Sequence, residues 1–99
     1  MRDQIQRIII EALDAQSRLF DRPFSNPLGP ETPLLGDKSE IDSMALVVLI
    51  VDVEQGIQAE FGRPITLVNE RAMASHGSPF RNVASMAQYA AGLLAGAAA

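Results

Sequence analysis

Residues 40–61, Glu-Ile-Asp-Ser-Met-Ala-Leu-Val-Val-Leu-Ile-Val-Asp-Val-Glu-Gln-Gly-Ile-Gln-Ala-Glu-Phe, decide how the rest of the chain folds. Within them the run 44–51 is unbroken apolar and rich in Val and Ile, so periodicity inside it does not separate a buried strand from a helix. Length and continuation do. Strands usually end by about eight residues, whereas here apolar positions recur at helical spacing through Val53, Ile57 and Phe61. Asp42 suits an N-cap, because its carboxylate can accept from the free N–H groups of a first turn, and Gly62 followed by Arg63-Pro64 supplies a stop. The stretch therefore predicts a helix of roughly five turns. Steps of 100° per residue gather Leu46, Leu49, Ile50, Val53 and Ile57 into one stripe, the expected core face. Met44, Val47, Val48 and Val51 fall nearly opposite. Either another element covers this second apolar face, or it awaits a partner or ligand.

Outward from this helix, 99 residues suffice for one small core but not for two lobes around a cleft. A single domain over 1–94 is expected, followed by an Ala-rich tail, 95–99, without charge or bulky anchor and expected to fray. The chain is 47% hydrophobic with few aromatics and no Trp, which suits a helical bundle packed with aliphatic side chains. Absence of Cys rules out disulfides and thiolate metal sites and suits the cytoplasm. The apolar stretch Ile8-Ile9-Ile10, preceded by an acid at Asp3, is too short for a signal peptide or membrane span. A soluble cytoplasmic protein without membrane insertion is the expectation. The net charge of −4 argues against nucleic acid as a partner. The acidity is local: Glu31, Asp37, Glu40, Asp42, Asp52, Glu54 and Glu60 face only Lys38 between residues 31 and 60, while the remainder is net basic.

Before the central helix, Ile5, Ile8, Ile9, Ala12, Leu13 and Leu19 recur at helical spacing and predict a first helix over about residues 3–20. Its polar face carries Arg7/Glu11 and Asp14/Arg18, pairs four apart on what is most simply a solvated surface. Residues 21–41 hold four of the six prolines together with Gly29 and Gly36, so they form a long loop, with Phe24, Leu28, Leu34 and Leu35 as candidate pins to the core. After Pro64, Ile65-Thr66-Leu67 is too short to require a sheet, and residues 69–74 read as a short helix ended at His76-Gly77. Ser78-Pro79 makes a turn, and Val83, Met86, Tyr89, Ala90, Leu93 and Leu94 mark a last amphipathic helix. The expected core draws on Ile9, Leu13, Leu49, Ile50, Val53, Met86 and Leu93.

Autonomous chemistry is poorly provided for. His76 is the sole imidazole, and no serine sits in a Gly-x-Ser-x-Gly elbow, so a hydrolytic triad is not expected. Asp52 and Glu54, two apart on a helix, point to different sides and read as a solvated face rather than a metal or acid–base pair.

Ile41-Asp42-Ser43-Met44, followed by Val47, Leu49-Ile50 and Glu54, resembles the recognition helix of acyl carrier proteins, whose Asp-Ser-Leu or Asp-Ser-Met opens the second helix. Leu34-Leu35-Gly36 before it and Val83, Met86 and Tyr89 after it extend the resemblance over most of the chain. The resemblance implies an all-α four-helix bundle with three longer helices, one short helix and a long first loop. It further implies that Ser43 carries a covalent 4′-phosphopantetheine arm taken from coenzyme A by a phosphopantetheinyl transferase. Asp42 would cap the helix and aid transferase recognition. Met44, Val47, Val48, Val51 and Glu54 would form a docking surface for an acyl- or aminoacyl-adenylating ligase and a downstream acyltransferase. The protein would be a monomeric carrier of thioesters rather than an enzyme, with no metal of its own. Carriers of fatty acid synthesis usually place acids at the third and sixth positions counted from the serine, where this chain has Ala45 and Val48. A few extra residues near 58–61 and the absence of Gly-Gly-x-Ser also set it apart. It is closer to stand-alone carriers such as D-alanyl carriers, with a role in secondary metabolism or in modifying a lipid or cell-surface polymer. The competing expectation is an unmodified, non-enzymatic interaction module that uses the Met44/Val47/Val48/Val51 face.

Overall fold

A computed structural model describes residues 2–25, 27–34, 40–67 and 80–97. It contains three helices, α1 (Arg2–Leu19), α2 (Ser43–Phe61) and α3 (Val83–Ala97), and no strand among the described residues. The expected short helix at 69–74, His76 and the candidate pin Leu35 lie outside the described residues. The last helix continues to Ala97, three residues into the segment expected to fray.

Although α2 is the most apolar stretch to the eye, α1 is the shared wall of the core. It packs against both α2 and α3, which make no such approach to each other. The sequence of α1 explains this, because Ile5, Ile9, Leu13 and Gln16 recur at three- and four-residue steps and all four are buried. Ile8 and Ala12 flank that line and pack partly against the core. At the α1–α2 crossing, Gly56 lets the backbones approach, since a Cβ there would meet Ile8 Cγ2 at 2.7 Å.

From α2 the core takes the whole predicted stripe, Leu46, Leu49, Ile50, Val53 and Ile57. From α3 it takes Val83, Met86, Ala87, Ala90 and Leu94. Leu93, expected in the core, is only half-buried, because the helix turns the line through Met86, Ala90 and Leu94 inward instead. Phe80, fully buried ahead of α3, meets Tyr89 edge-on at 6.0 Å between ring centroids.

The first loop is tied down by its backbone as well as by apolar pins. Leu34 is buried, and Phe24 and Leu28 pack against the core from its edge. Residues 30–34 also run beside the start of α3, where Leu34 N donates to Arg81 O at 2.9 Å. Val83 N and Ala84 N, which have no acceptor within their own helix, donate to Thr32 O at 3.2 Å and Pro30 O at 2.8 Å. Asn82 and Ser85 complete that helix start reciprocally. Ser85 N donates to Asn82 Oδ1 at 2.8 Å, and Asn82 N donates to Ser85 Oγ at 3.0 Å.

Candidate functional site

The start of α2 is built as the sequence predicts. Asp42 is extended (φ −89°, ψ −179°), and its Oδ1 accepts from Ala45 N at 2.8 Å. Its carbonyl takes the first helical bond, from Leu46 N at 3.0 Å. Ser43 is thus the first helical residue, on a turn in which Asp42 holds the N–H groups of Ala45 and Leu46. At the other end Gly62 adopts the left-handed conformation (φ 69°), and its N–H donates to Gln58 O.

Three further contacts fix this helix start in place. Glu40 accepts from Ser25 N at 3.1 Å and from Ser25 Oγ at 2.7 Å, which clamps the two ends of the first loop together just ahead of Asp42. Gln16 of α1 donates through Nε2 to Ala45 O at 2.8 Å, a side-chain bond between helices in a partly buried position. The end of α1 then turns back through Asp21, whose φ of 53° is left-handed. Arg22 N donates to Ser17 O at 2.9 Å and Asp21 N to Arg18 O at 3.3 Å, the double bond pattern that closes a helix C-terminus. Asn or Gly is commoner at such a position, but an Asp tolerates it. The turn puts Phe20 and Arg22 beside the first turn of α2, where they line a hollow of about 280 Å³ with Asp42, Met44, Ala45 and Val48.

The predicted docking residues divide into three groups. Met44, Val47 and Val51 stand 73%, 53% and 44% exposed, so no described element covers them. Val48, placed with them on the wheel, is instead half-buried in the hollow with Phe20. Glu54 is half-buried too, and its carboxylate accepts from Leu67 N at 2.6 Å. It is therefore neither a purely solvated residue nor a free docking charge, since it anchors the segment that carries the buried Leu67 back onto the helix. Asp52 is exposed, as expected. Glu31, Glu40, Asp42 and Glu60 are likewise exposed, which leaves the local acidity on the surface.

Gln16, Phe20 and Arg22 belong to this region and were not picked out from the sequence. Gln16 carried a signal, being a polar residue three places after Leu13 on the buried line of α1. Phe20 and Arg22 carried none, because only the turn at Asp21 brings them to α2. Among the described residues no group of three or more His, Asp or Glu could hold a metal ion. No helix of these residues is long and apolar enough to cross a membrane. The chain matches no family model, no curated protein and no solved structure.

Proposed function

We propose that this chain is a carrier protein: Ser43 is joined to 4′-phosphopantetheine, and the arm's thiol holds acyl or aminoacyl groups as thioesters for partner enzymes. The observation that carries the reading is Ser43 at the first position of a helix capped by Asp42, beside the exposed apolar residues Met44, Val47 and Val51. A helix start suits a phosphodiester, because the macrodipole and first-turn N–H groups favour negative charge there. The adjoining apolar face is the sort of surface that a partner covers. In this reading residues 69–74 supply a short additional helix, which completes a four-helix carrier fold in a cytoplasmic protein.

Serine alone is a weak nucleophile, so a transferase with Mg²⁺ must activate it. Ser43 Oγ forms the new bond to phosphorus, the pyrophosphate linkage of coenzyme A breaks, and adenosine 3′,5′-bisphosphate leaves. Surface acids near α2 steer cationic partners toward this end over a Debye length of about 8 Å in cellular salt. Ala45 and Val48, where fatty-acid carriers have acids, favour a dedicated adenylating ligase and acyltransferase over generic fatty-acid enzymes.

Intact mass after incubation with a broad-specificity phosphopantetheinyl transferase, Mg²⁺ and coenzyme A tests the assignment. One arm should be added, and Ser43→Ala should abolish the adduct while helix content stays nearly constant, because Asp42 still caps α2. An adduct on another serine, or none with several transferases, would exclude the carrier. The exposed face would then favour the second reading, an unmodified interaction module.

A further inference from the structure

Ile5, Ile9, Leu13 and Gln16 form the buried line of α1, and Gln16 is its polar member. Only 5% of Gln16 is exposed, and its Oε1 is buried with no hydrogen-bond partner among the described residues. Turning the amide over does not relieve this, because Nε2 donates to Ala45 O at 2.8 Å and the exchange would set two acceptors against each other. A Leu in this place would bury apolar surface and leave no acceptor unpaired. Nor does the bond add much to α2 itself, since a carbonyl inside a helix already accepts from its own ladder. What Gln16 supplies and Leu does not is a directional tie between the end of α1 and the first turn of α2. A second tie reaches the same turn from its other side. The two carboxylate oxygens of Glu40 accept from Ser25 N at 3.1 and 3.2 Å, and one of them also accepts from Ser25 Oγ at 2.7 Å.

The two ties straddle Ser43, at Glu40 before it and Ala45 after it, and both come from the one short segment 16–25. That segment is itself closed on α1. Phe20 N donates to Gln16 O at 3.0 Å, Arg22 N donates to Ser17 O at 2.9 Å, and the left-handed Asp21 turns the chain back. Beyond the turn, Pro23 restricts the backbone and Phe24 packs against the core. We infer that residues 16–25 are a bracket that fixes the backbone around Ser43 for transfer of the arm, with Gln16 and Ser25 as its positioning residues. The inference rests on the carrier reading, in which Ser43 is the attachment point. Helix ends fray, and the Asp42 cap holds the first turn of α2 only to itself. The bracket holds that turn to the rest of the protein, which matters for a nucleophile because attack on phosphorus tolerates little displacement. Roles then divide around the serine: Met44, Val47 and Val51 serve docking, whereas Gln16 and Ser25 act through the backbone of 40–45.

The test is the kinetics of loading the full chain with a broad-specificity phosphopantetheinyl transferase, Mg²⁺ and coenzyme A, for the wild type, Gln16→Leu, Ser25→Ala and Ser25→Thr. Gln16→Leu should unfold at the wild-type temperature or above it, yet lower kcat about ten- to a hundredfold, the scale of a misplacement of about 1 Å. KM should change by less than about twofold, because no docking contact is removed. Ser25→Ala, at an exposed loop position, should lower kcat in the same direction, and Ser25→Thr, which keeps the hydroxyl, should restore it. The amides of Ala45 and Leu46 should exchange with solvent several-fold faster in Gln16→Leu and Ser25→Ala than in the wild type. An unchanged kcat in both variants would overturn the inference and leave the carrier reading standing. A rise in KM alone would overturn it as well, since it would assign the two residues to docking. Should Gln16→Leu unfold early, the Ser25 pair decides: kcat lost with Ala and regained with Thr sustains the bracket, and any other result overturns it. Failure of the wild-type chain to load at all would remove the carrier reading and this inference together.

Discussion

Along α2, Leu46, Leu49, Ile50, Val53 and Ile57 are buried, whereas Met44, Val47 and Val51, comparably apolar, remain largely in solvent. Composition does not separate the two faces; neighbours do. α1 meets one side of α2, and the close approach at Gly56 and Ile8 fixes which side that is. No described element reaches the other side. In the carrier reading proposed above, this exposed apolar surface beside Ser43 is what a partner enzyme covers. The buried face should therefore respond to mutation as stability, and the exposed face as binding.

The largest difference is expected at Leu49, which is fully buried. Leu49→Ala should lower unfolding free energy by about 2–5 kcal/mol, the range for a large-to-small change at a core site. Chemical denaturation measures it, and a loss below half a kcal/mol would mean that the inner face is not what holds the protein together.

Most of α2 was legible from its own residues because its signals are local. Asp42, Gly62 and the five-residue stripe each act within a turn or two of themselves. The first loop's pins Leu34, Phe24 and Leu28 were legible in the same way, as apolar side chains in an otherwise breaker-rich stretch. What escaped depends on residues far apart in the chain. Glu54 looks solvated until the chain returns with Leu67 N thirteen residues later. Val48 looks exposed on a wheel, but Phe20, beyond the end of another helix, comes to lie beside it. The role of α1 as shared wall was hidden because α2 has the longer apolar run, although packing depends on which line of side chains faces two neighbours at once. In the proposed reading, finally, the catalytic partners are other proteins, so Ser43 would mark where the arm is attached but not which acyl group arrives.

A second substitution probes why the inner face is the inner one. Gly56 lies in mid-helix, where Ala would normally raise helix stability by about 1 kcal/mol. Here the added Cβ would meet Ile8 Cγ2 at 2.7 Å, and a β-branched side chain has few rotamers with which to retreat. Gly56→Ala should therefore destabilise by about 1–3 kcal/mol, as overpacking does. Ile8→Ala in the same chain should recover part of that loss, so the two changes should add to less than their sum. Simple additivity in a thermal or denaturant series would show that the helices do not touch at this pair.

The smallest effect on folding, and the most telling for function, is expected on the outer face. Val47 is half exposed and does not line the hollow beside α1, so a charge there meets water in the free protein. Val47→Glu should change unfolding free energy by no more than about half a kcal/mol. The same change buries a carboxylate without a partner when an enzyme covers the face, and it should weaken that complex by about 1–2 kcal/mol. Loading of the arm by the transferase and acylation by a cognate ligase, measured on one sample with its thermal unfolding curve, distinguish the outcomes. Val47 is the better position for this than Val48, because Val48 is half-buried in the hollow lined by Phe20 and a charge there would disturb the seam with α1 as well as the proposed docking face. A marked loss of stability in Val47→Glu would place this residue in a core shared with another element. Unchanged stability together with unchanged loading and acylation would move the docking site off α2 and leave its outer face without the role that its exposure suggests.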